Sequence, residues 1–149
     1  MLIDADGKVF VGKRLESEEG NGWQMPQGGI DAGEEPRVAA WRELEEEVGT
    51  VKGEIIGETR DWLAYDVPDA LLGKVWEGRY RGQKQKWFAV RFTGSDADIR
   101  LDRHHKPEFS AYRWVEASEL PGLIVDFKRP VYVRLIEEFR PLIEAVRRG

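Results

Sequence analysis

Three glutamates, Glu43, Glu46 and Glu47, stand at i, i+3 and i+4 in the run RELEEEV, downstream of the glycine pair Gly28-Gly29. An α-helix advances about 100° per residue, so these spacings set the three carboxylates within an arc of roughly 100°. Like charges at i and i+4 destabilise a plain surface helix by a few tenths of a kcal/mol. A divalent cation reverses that sign. Hard oxygen ligands grouped in this way suit Mg²⁺ or Mn²⁺, which keep several waters and bridge a few carboxylates to substrate phosphates. A short glutamate run on its own is more often a solvated charged face, so the reading depends on what surrounds it.

The elements that must hold these residues are marked in the sequence. Pro36 fits a first helical position and Gly49 the left-handed residue just past a helix end, which predicts a helix over 36–48. Trp41, Leu44 and Val48, with Ala40 beside them, form an apolar stripe to bury against a sheet, leaving the carboxylates at the rim. Residues 8–13 (KVFVGK) read as a strand, 15–22 as a polar loop and 24–33 as a loop. Short strands are predicted over 53–60 and 62–67, followed by a long turn-rich connection. Residues 85–92 alternate most regularly, with Trp87, Ala89 and Arg91 on one face and Phe88, Val90 and Phe92 on the other. A strand at 111–115 and a helical turn at 116–120 precede an amphipathic helix over 130–148. That helix turns Val131, Leu135, Phe139, Leu142 and Val146 inward and is expected to kink at Pro141.

Composition fits one compact domain over residues 1–149, with 41% hydrophobic residues. Zero cysteines exclude disulfides, thiolate catalysis and zinc-finger sites, and agree with a reducing cytosol. No apolar run approaches the roughly 20 residues of a membrane span, and the start MLIDADGKVF has no signal-peptide pattern. A cytoplasmic protein without membrane or DNA partners is expected. Residues 34–47 hold six glutamates against Arg37 and Arg42, a local charge of −4 within a net −5. The rest is nearly neutral, so the acidic balance does not argue against a nucleic-acid substrate. Basic residues collect at Lys13-Arg14, at Lys74, Arg79, Arg81, Lys84 and Lys86, from Arg103 to Lys106, and at Lys128-Arg129. Each is a candidate phosphate contact, although a solvated surface cation is the commoner role.

The full order Gly28, Glu34, Arg42-Glu43, Leu44, Glu46-Glu47 and Gly49 resembles the Nudix box. The seven Gly, Glu and Arg positions among them match by chance on the order of once per million chains of this length. Thr50 stands where the box carries an aliphatic residue. Further strings, WQMPQGGID, TRDWLAYDVP, GQKQKWFAVRF, PEF and DFKRPVY, resemble the Nudix branch that contains bacterial RNA pyrophosphohydrolases and dinucleoside polyphosphate hydrolases. This likeness covers nearly the whole chain. It implies an α/β/α sandwich with a mixed sheet and metal-dependent pyrophosphohydrolysis of polyphosphorylated nucleotides. Relatives in this branch also carry an arginine-bearing stretch ahead of the first strand, and residue 1 falls almost directly on that strand.

Residue by residue, the resemblance makes Glu43 and Glu47 the principal metal ligands, with Glu46 close to metal, the Gly28 carbonyl a further contact and Glu108 of PEF completing the site. Two or three Mg²⁺ ions, or Mn²⁺, would screen the phosphate charge and lower the pKa of the attacking water. The general base stays open among the glutamates, because Nudix enzymes differ on it. Glu34 and Arg42 are expected to pair and orient the ligands. Tyr65 and Phe127 match positions that sandwich a base, and Lys13, Arg14, Gln27 and Lys128 are the phosphate candidates. His104 and His105 read as loop histidines, since no orienting partner is evident. The substrate that the resemblance implies is the 5′-triphosphate end of RNA or a dinucleoside polyphosphate such as diadenosine tetraphosphate, with the basic run from Lys74 to Lys86 favouring RNA. The alternatives are a catalytically silent Nudix-fold sensor and a hydrolase of another nucleoside diphosphate derivative such as a nucleotide sugar.

Overall fold

A computed structural model describes residues 1–15, 22–69, 82–103 and 107–149. Alternation along the strands explains the architecture. On Val9–Arg14 (β2), Val9 and Val11 join one core cluster while Phe10 joins the other. Leu2–Ile3 (β1) likewise sends Ile3 to the first cluster and Leu2 to the second. The sheet therefore has two buried faces and needs helices on both.

Pro36–Val48 (α1) covers the second face with Leu44 and Val48. Leu120–Leu123 (α2) and Arg129–Arg148 (α3) cover the first, through Leu120, Val131, Tyr132, Leu135, Phe139 and Ile143. Trp23–Gln24 (β3), Gly53–Glu58 (β4), Phe88–Phe92 (β7) and Phe109–Val115 (β8) complete a mixed six-stranded sheet in the order β3-β2-β1-β7-β4, with β8 paired to β2. The β1–β7 pair is parallel, with Leu2 opposite Val90, and the others are antiparallel. Leu63–Asp66 (β5) and Gly82–Gln85 (β6) form a separate antiparallel pair. The result is the expected single-domain α/β/α sandwich.

Several elements depart from the sequence reading. The strand expected over 85–92 is two strands in two sheets, broken at Lys86 and Trp87. Lys86 Nζ donates to the Thr59 carbonyl and lies 3.5 Å from Glu58, while the Thr59 amide donates to the Trp87 carbonyl. These contacts hold the chain where it passes from one sheet to the other. The expected alternation survives, with Trp87 and Ala89 in one cluster and Val90 and Phe92 in the other.

Trp23–Gln24, read partly as loop, pairs with Gly12 and Lys13. In α3 the buried set continues at four-residue spacing to Ile143, while Leu142 packs over Gly57, where a Cβ would lie 2.5 Å from it. The helix runs on through Pro141. Gly49 has φ +79°, and its N–H donates to the Glu45 carbonyl, the left-handed end expected of it. Among the described residues no helix is long and apolar enough to cross a membrane. Part of the polar loop at 15–22, most of the long connection after 67, Lys74, Arg79, Arg81, His104, His105 and Lys106 lie outside the described residues.

Candidate metal and phosphate site

The loop that precedes α1 is fixed first at its start. Met25 N–H donates to the Tyr132 hydroxyl of α3 at 2.9 Å, within the buried core. Two residues on, the Gln27 backbone N–H lies near the Glu47 carboxylate and favours its charged form. Gly28 then passes directly over Glu43, so close that a Cβ there would sit 1.8 Å from the carboxyl carbon. Only glycine allows this approach.

Arg42 ties the rest of the loop to the helix. Its guanidinium donates to both Glu34 oxygens at 2.9 Å, to the Gly29 carbonyl at 2.7 Å, to Glu43 at 2.8 Å and to Glu46 at 3.4 Å. The planar fork suits this many acceptors at once. Those hydrogen bonds hold the Glu34 carboxyl down at about 2. The pairing expected of Glu34 and Arg42 is thus present, and the same guanidinium reaches the metal-ligand candidates.

The glutamates differ sharply from one another. Glu47 is 3% exposed, not at the rim as the helix pattern suggested. It lies on the covered side of α1, four residues beyond Glu43, with the 27–28 loop above it. Burial raises its carboxyl to about 9, helped by the charges of Glu43, Glu108 and Glu46. Its Oε2 has no hydrogen-bond partner. Glu43 is raised as well, mainly by burial and against the pull of Arg42, with Glu46 and Glu108 adding to it. Glu108, from the segment leading into β8, is therefore near enough to act on both.

Glu46 is 43% exposed and faces Arg42. Among the described residues no three such side chains form a ready-made cage. Mutual repulsion accounts for this arrangement, because each carboxylate that is free to turn takes Arg42 as its counter-charge. A buried, partnerless carboxylate oxygen among like charges nonetheless fits a hard divalent cation. Glu43 and Glu47, with Glu108 near both and the backbone of Gly28 against Glu43, are the donors that would hold one.

The remaining candidates fall into two places. Tyr65, Phe127, Lys128 and Arg14 form one group. Lys128 Nζ lies 5.6 Å from the Tyr65 ring and 6.0 Å from that of Phe127. Burial, and then the Arg14 charge, lower its amine to about 8. The expected sandwich differs from what the rings form. Tyr65 is 6% exposed, and its ring lies against Phe127 with centroids 5.6 Å apart, tilted by 47°. A base between two rings needs about 7 Å, so the open stacking surface is the outer face of half-buried Phe127. Lys13 is half-buried in β2, one residue before exposed Arg14.

Gln27 belongs to the second place, a cleft of about 400 Å³ that also takes in Gly28, Glu43, Glu47 and Lys84. Its side-chain oxygen accepts from Gln85 at 2.8 Å. Gln83, Gln85 and Trp87 were given no part in the site by the sequence. Besides the likeness of GQKQKWFAVRF to the family, the signal for them was their i, i+2, i+4 spacing, which places them along one side of an extended chain.

Comparison with known proteins agrees with this geometry. The NUDIX domain matches residues 1–135. The RNA pyrophosphohydrolase of Rhodospirillum rubrum is 60% identical over 138 residues, 93% of this chain and 82% of that protein. The RNA pyrophosphohydrolase of Novosphingobium aromaticivorans is 56% identical over 145 residues, 96% and 90% of the respective chains. Among solved structures, the E. coli dihydroneopterin triphosphate pyrophosphohydrolase superposes with a TM-score of 0.64 at 18% identity over 93% of both chains. A C. elegans Ap4A hydrolase binary complex gives 0.63 at 16% over 94% of both. These two speak to the fold. Family, fold and the glutamate-rich helix beneath a glycine loop agree, and the chain belongs to the Nudix hydrolases, a family that works with divalent metal ions.

Proposed function

We propose that this protein is a Mg²⁺- or Mn²⁺-dependent pyrophosphohydrolase of polyphosphorylated nucleotides. It removes pyrophosphate from 5′-triphosphate RNA ends, and the same site accepts dinucleoside polyphosphates such as diadenosine tetraphosphate. The observation that carries the reading is Glu47, a buried carboxylate with a partnerless oxygen, on which the charges of Glu43 and Glu108 act. Such an array is unfavourable on its own, and a bound cation offsets the repulsion. When bound, the divalent ion supplies charge screening for the phosphates and acidifies water.

The chain's own residues do the rest. Glu43, Glu47 and Glu108 would hold the ion, with Glu46, turned to Arg42, beside them, and one of these four carboxylates would furnish the base that takes the proton from water. Arg42 and Glu34 fix the loop so that Gly28 stays over Glu43. Arg14, Lys13, Lys128 and Gln27 take phosphate oxygens, and Phe127, backed by Tyr65, offers a face to the terminal base. The RNA pyrophosphohydrolase names of relatives more than half identical support RNA ends as the substrate. With this reading go one Nudix domain over 1–149, a cytoplasmic setting, and neither membrane nor DNA as partner.

The test compares kcat/KM for a short 5′-triphosphate RNA and for diadenosine tetraphosphate with Mg²⁺ present. A marked preference for RNA supports 5′-end processing, and preference for the dinucleotide moves the role to nucleotide clearance. Turnover of neither by a folded protein that still binds nucleotide refutes the enzyme reading in favour of a sensor.

A further inference from the structure

A chain of side-chain hydrogen bonds runs along the wall of the cleft. The Trp87 indole N–H donates to Gln85 Oε1 at 2.8 Å. The Gln85 amide nitrogen then donates to Gln27 Oε1 at 2.8 Å and to Gln83 Oε1 at 3.3 Å. Tyr65 adds its hydroxyl to the same Gln83 oxygen at 2.9 Å.

The direction of this chain is set at one end by chemistry. An indole nitrogen can only donate, whereas a glutamine amide can face either way. Trp87 therefore compels Gln85 to turn its oxygen inward and its NH₂ outward. That NH₂ has two donors, and both neighbours answer with their oxygens. Gln27 and Gln83 are each left with an amide NH₂ as the end available to a ligand. Both residues line the cleft that holds Glu43 and Glu47. Trp87 itself is 5% exposed and packed edge-on against Tyr132, with centroids 6.0 Å apart at 83°, so the donor that sets the direction cannot easily turn away. Without that constraint, an amide flip would present a carbonyl oxygen to an anionic substrate and repel it.

We propose that Trp87 and Gln85 are positioning residues that orient the Gln27 and Gln83 amides so that both present N–H donors to the polyphosphate chain. The inference rests on the function proposed above and adds three residues to it. It also gives Tyr65 a second task, since its hydroxyl closes the chain beside the base-stacking group.

The test uses three variants on 5′-triphosphate RNA with Mg²⁺. Trp87→Phe keeps the aromatic edge and removes the donor. Gln85→Met removes both donors. Gln85→Glu keeps the acceptor for Trp87, cannot donate, and so draws the Gln27 NH₂ toward itself and turns the oxygen to the cleft. Losing a hydrogen bond to a charged group costs about tenfold or more in affinity. KM should therefore rise about tenfold in Trp87→Phe and Gln85→Met, and further in Gln85→Glu, with kcat nearly unchanged. In a Gln27→Ala/Gln83→Ala background the Gln85→Met effect should vanish, because the groups it orients are gone. KM values within twofold of wild type, a loss confined to kcat and melting temperature, or an undiminished Gln85→Met effect in that background each overturns the inference. An active wild type accompanied by those results leaves the proposed function standing. A wild type inactive on both nucleotide substrates removes that function, and this inference with it.

Discussion

Replacing Glu47 by glutamine should stabilise the metal-free protein while abolishing its activity. In the folded chain the carboxyl is raised from an ordinary 4.5 to about 9, chiefly by burial. The unfolded chain releases this proton near the ordinary value. Between those two limits the folded state holds an extra proton, so stability falls as pH rises, and the full cost is reached above about 9. A pH of about 7.5 lies about three units above that ordinary value, and at about 1.4 kcal/mol per unit the ceiling is near 4 kcal/mol. Relaxation and water entry lower this, and a gain of about 2 kcal/mol is expected for Glu47→Gln. For a domain of this size that gain corresponds to about 4–8 °C in Tm.

The assay is thermal denaturation followed by circular dichroism in EDTA, from pH about 5 to about 8.5. The advantage of the variant should grow with pH and nearly close at the acidic end. Excess Mg²⁺ should stabilise wild type and leave the variant unmoved. A variant that melts at or below wild type at pH about 7.5 in EDTA, or a difference that ignores pH, would refute the reasoning.

Two further outcomes follow from the same geometry. Gly28→Ala places a methyl group 1.8 Å from the Glu43 carboxyl carbon, so Glu43 must leave its position. The Mg²⁺ Kd measured by calorimetry should weaken at least about tenfold while the far-ultraviolet spectrum is kept. Lys128 loses its proton at about 8, so at saturating metal kcat/KM for triphosphate RNA should fall as pH rises past that value. Lys128→Met should be weaker throughout and lack that inflection, and an inflection that persists in the variant assigns it to another group.

Local rules made the box helix legible to the residue. Pro36 and Gly49 act at its two ends, and the observed helix stops where they say. The Glu34–Arg42 pair came with the family pattern and is present. What the sequence hid depends on contacts distant in the chain. The short β1 has no periodicity to read, and it exists through pairing with β7, nearly ninety residues away. The break at Lys86 and Trp87 follows from contacts to Glu58 and Thr59. Glu47 lies within the carboxylate arc of the isolated helix, yet the 27–28 loop and the neighbouring sheet enclose it. Tyr65 and Phe127 carried the right residue types, but whether two rings hold a base or hold each other is a matter of a distance that sequence does not specify. The glutamine chain was hardest to see, since each residue alone is an ordinary strand polar group.

In the function proposed above, Glu43 and Glu47 act with a divalent cation to split a polyphosphate. The most direct test of this claim is product analysis of a defined 5′-triphosphate RNA incubated with Mg²⁺ and either wild type or Glu47→Gln. Wild type should release pyrophosphate and leave a 5′-monophosphate end, and the variant or added EDTA should stop both. Orthophosphate as the sole product, or turnover undiminished in Glu47→Gln, would contradict the claim.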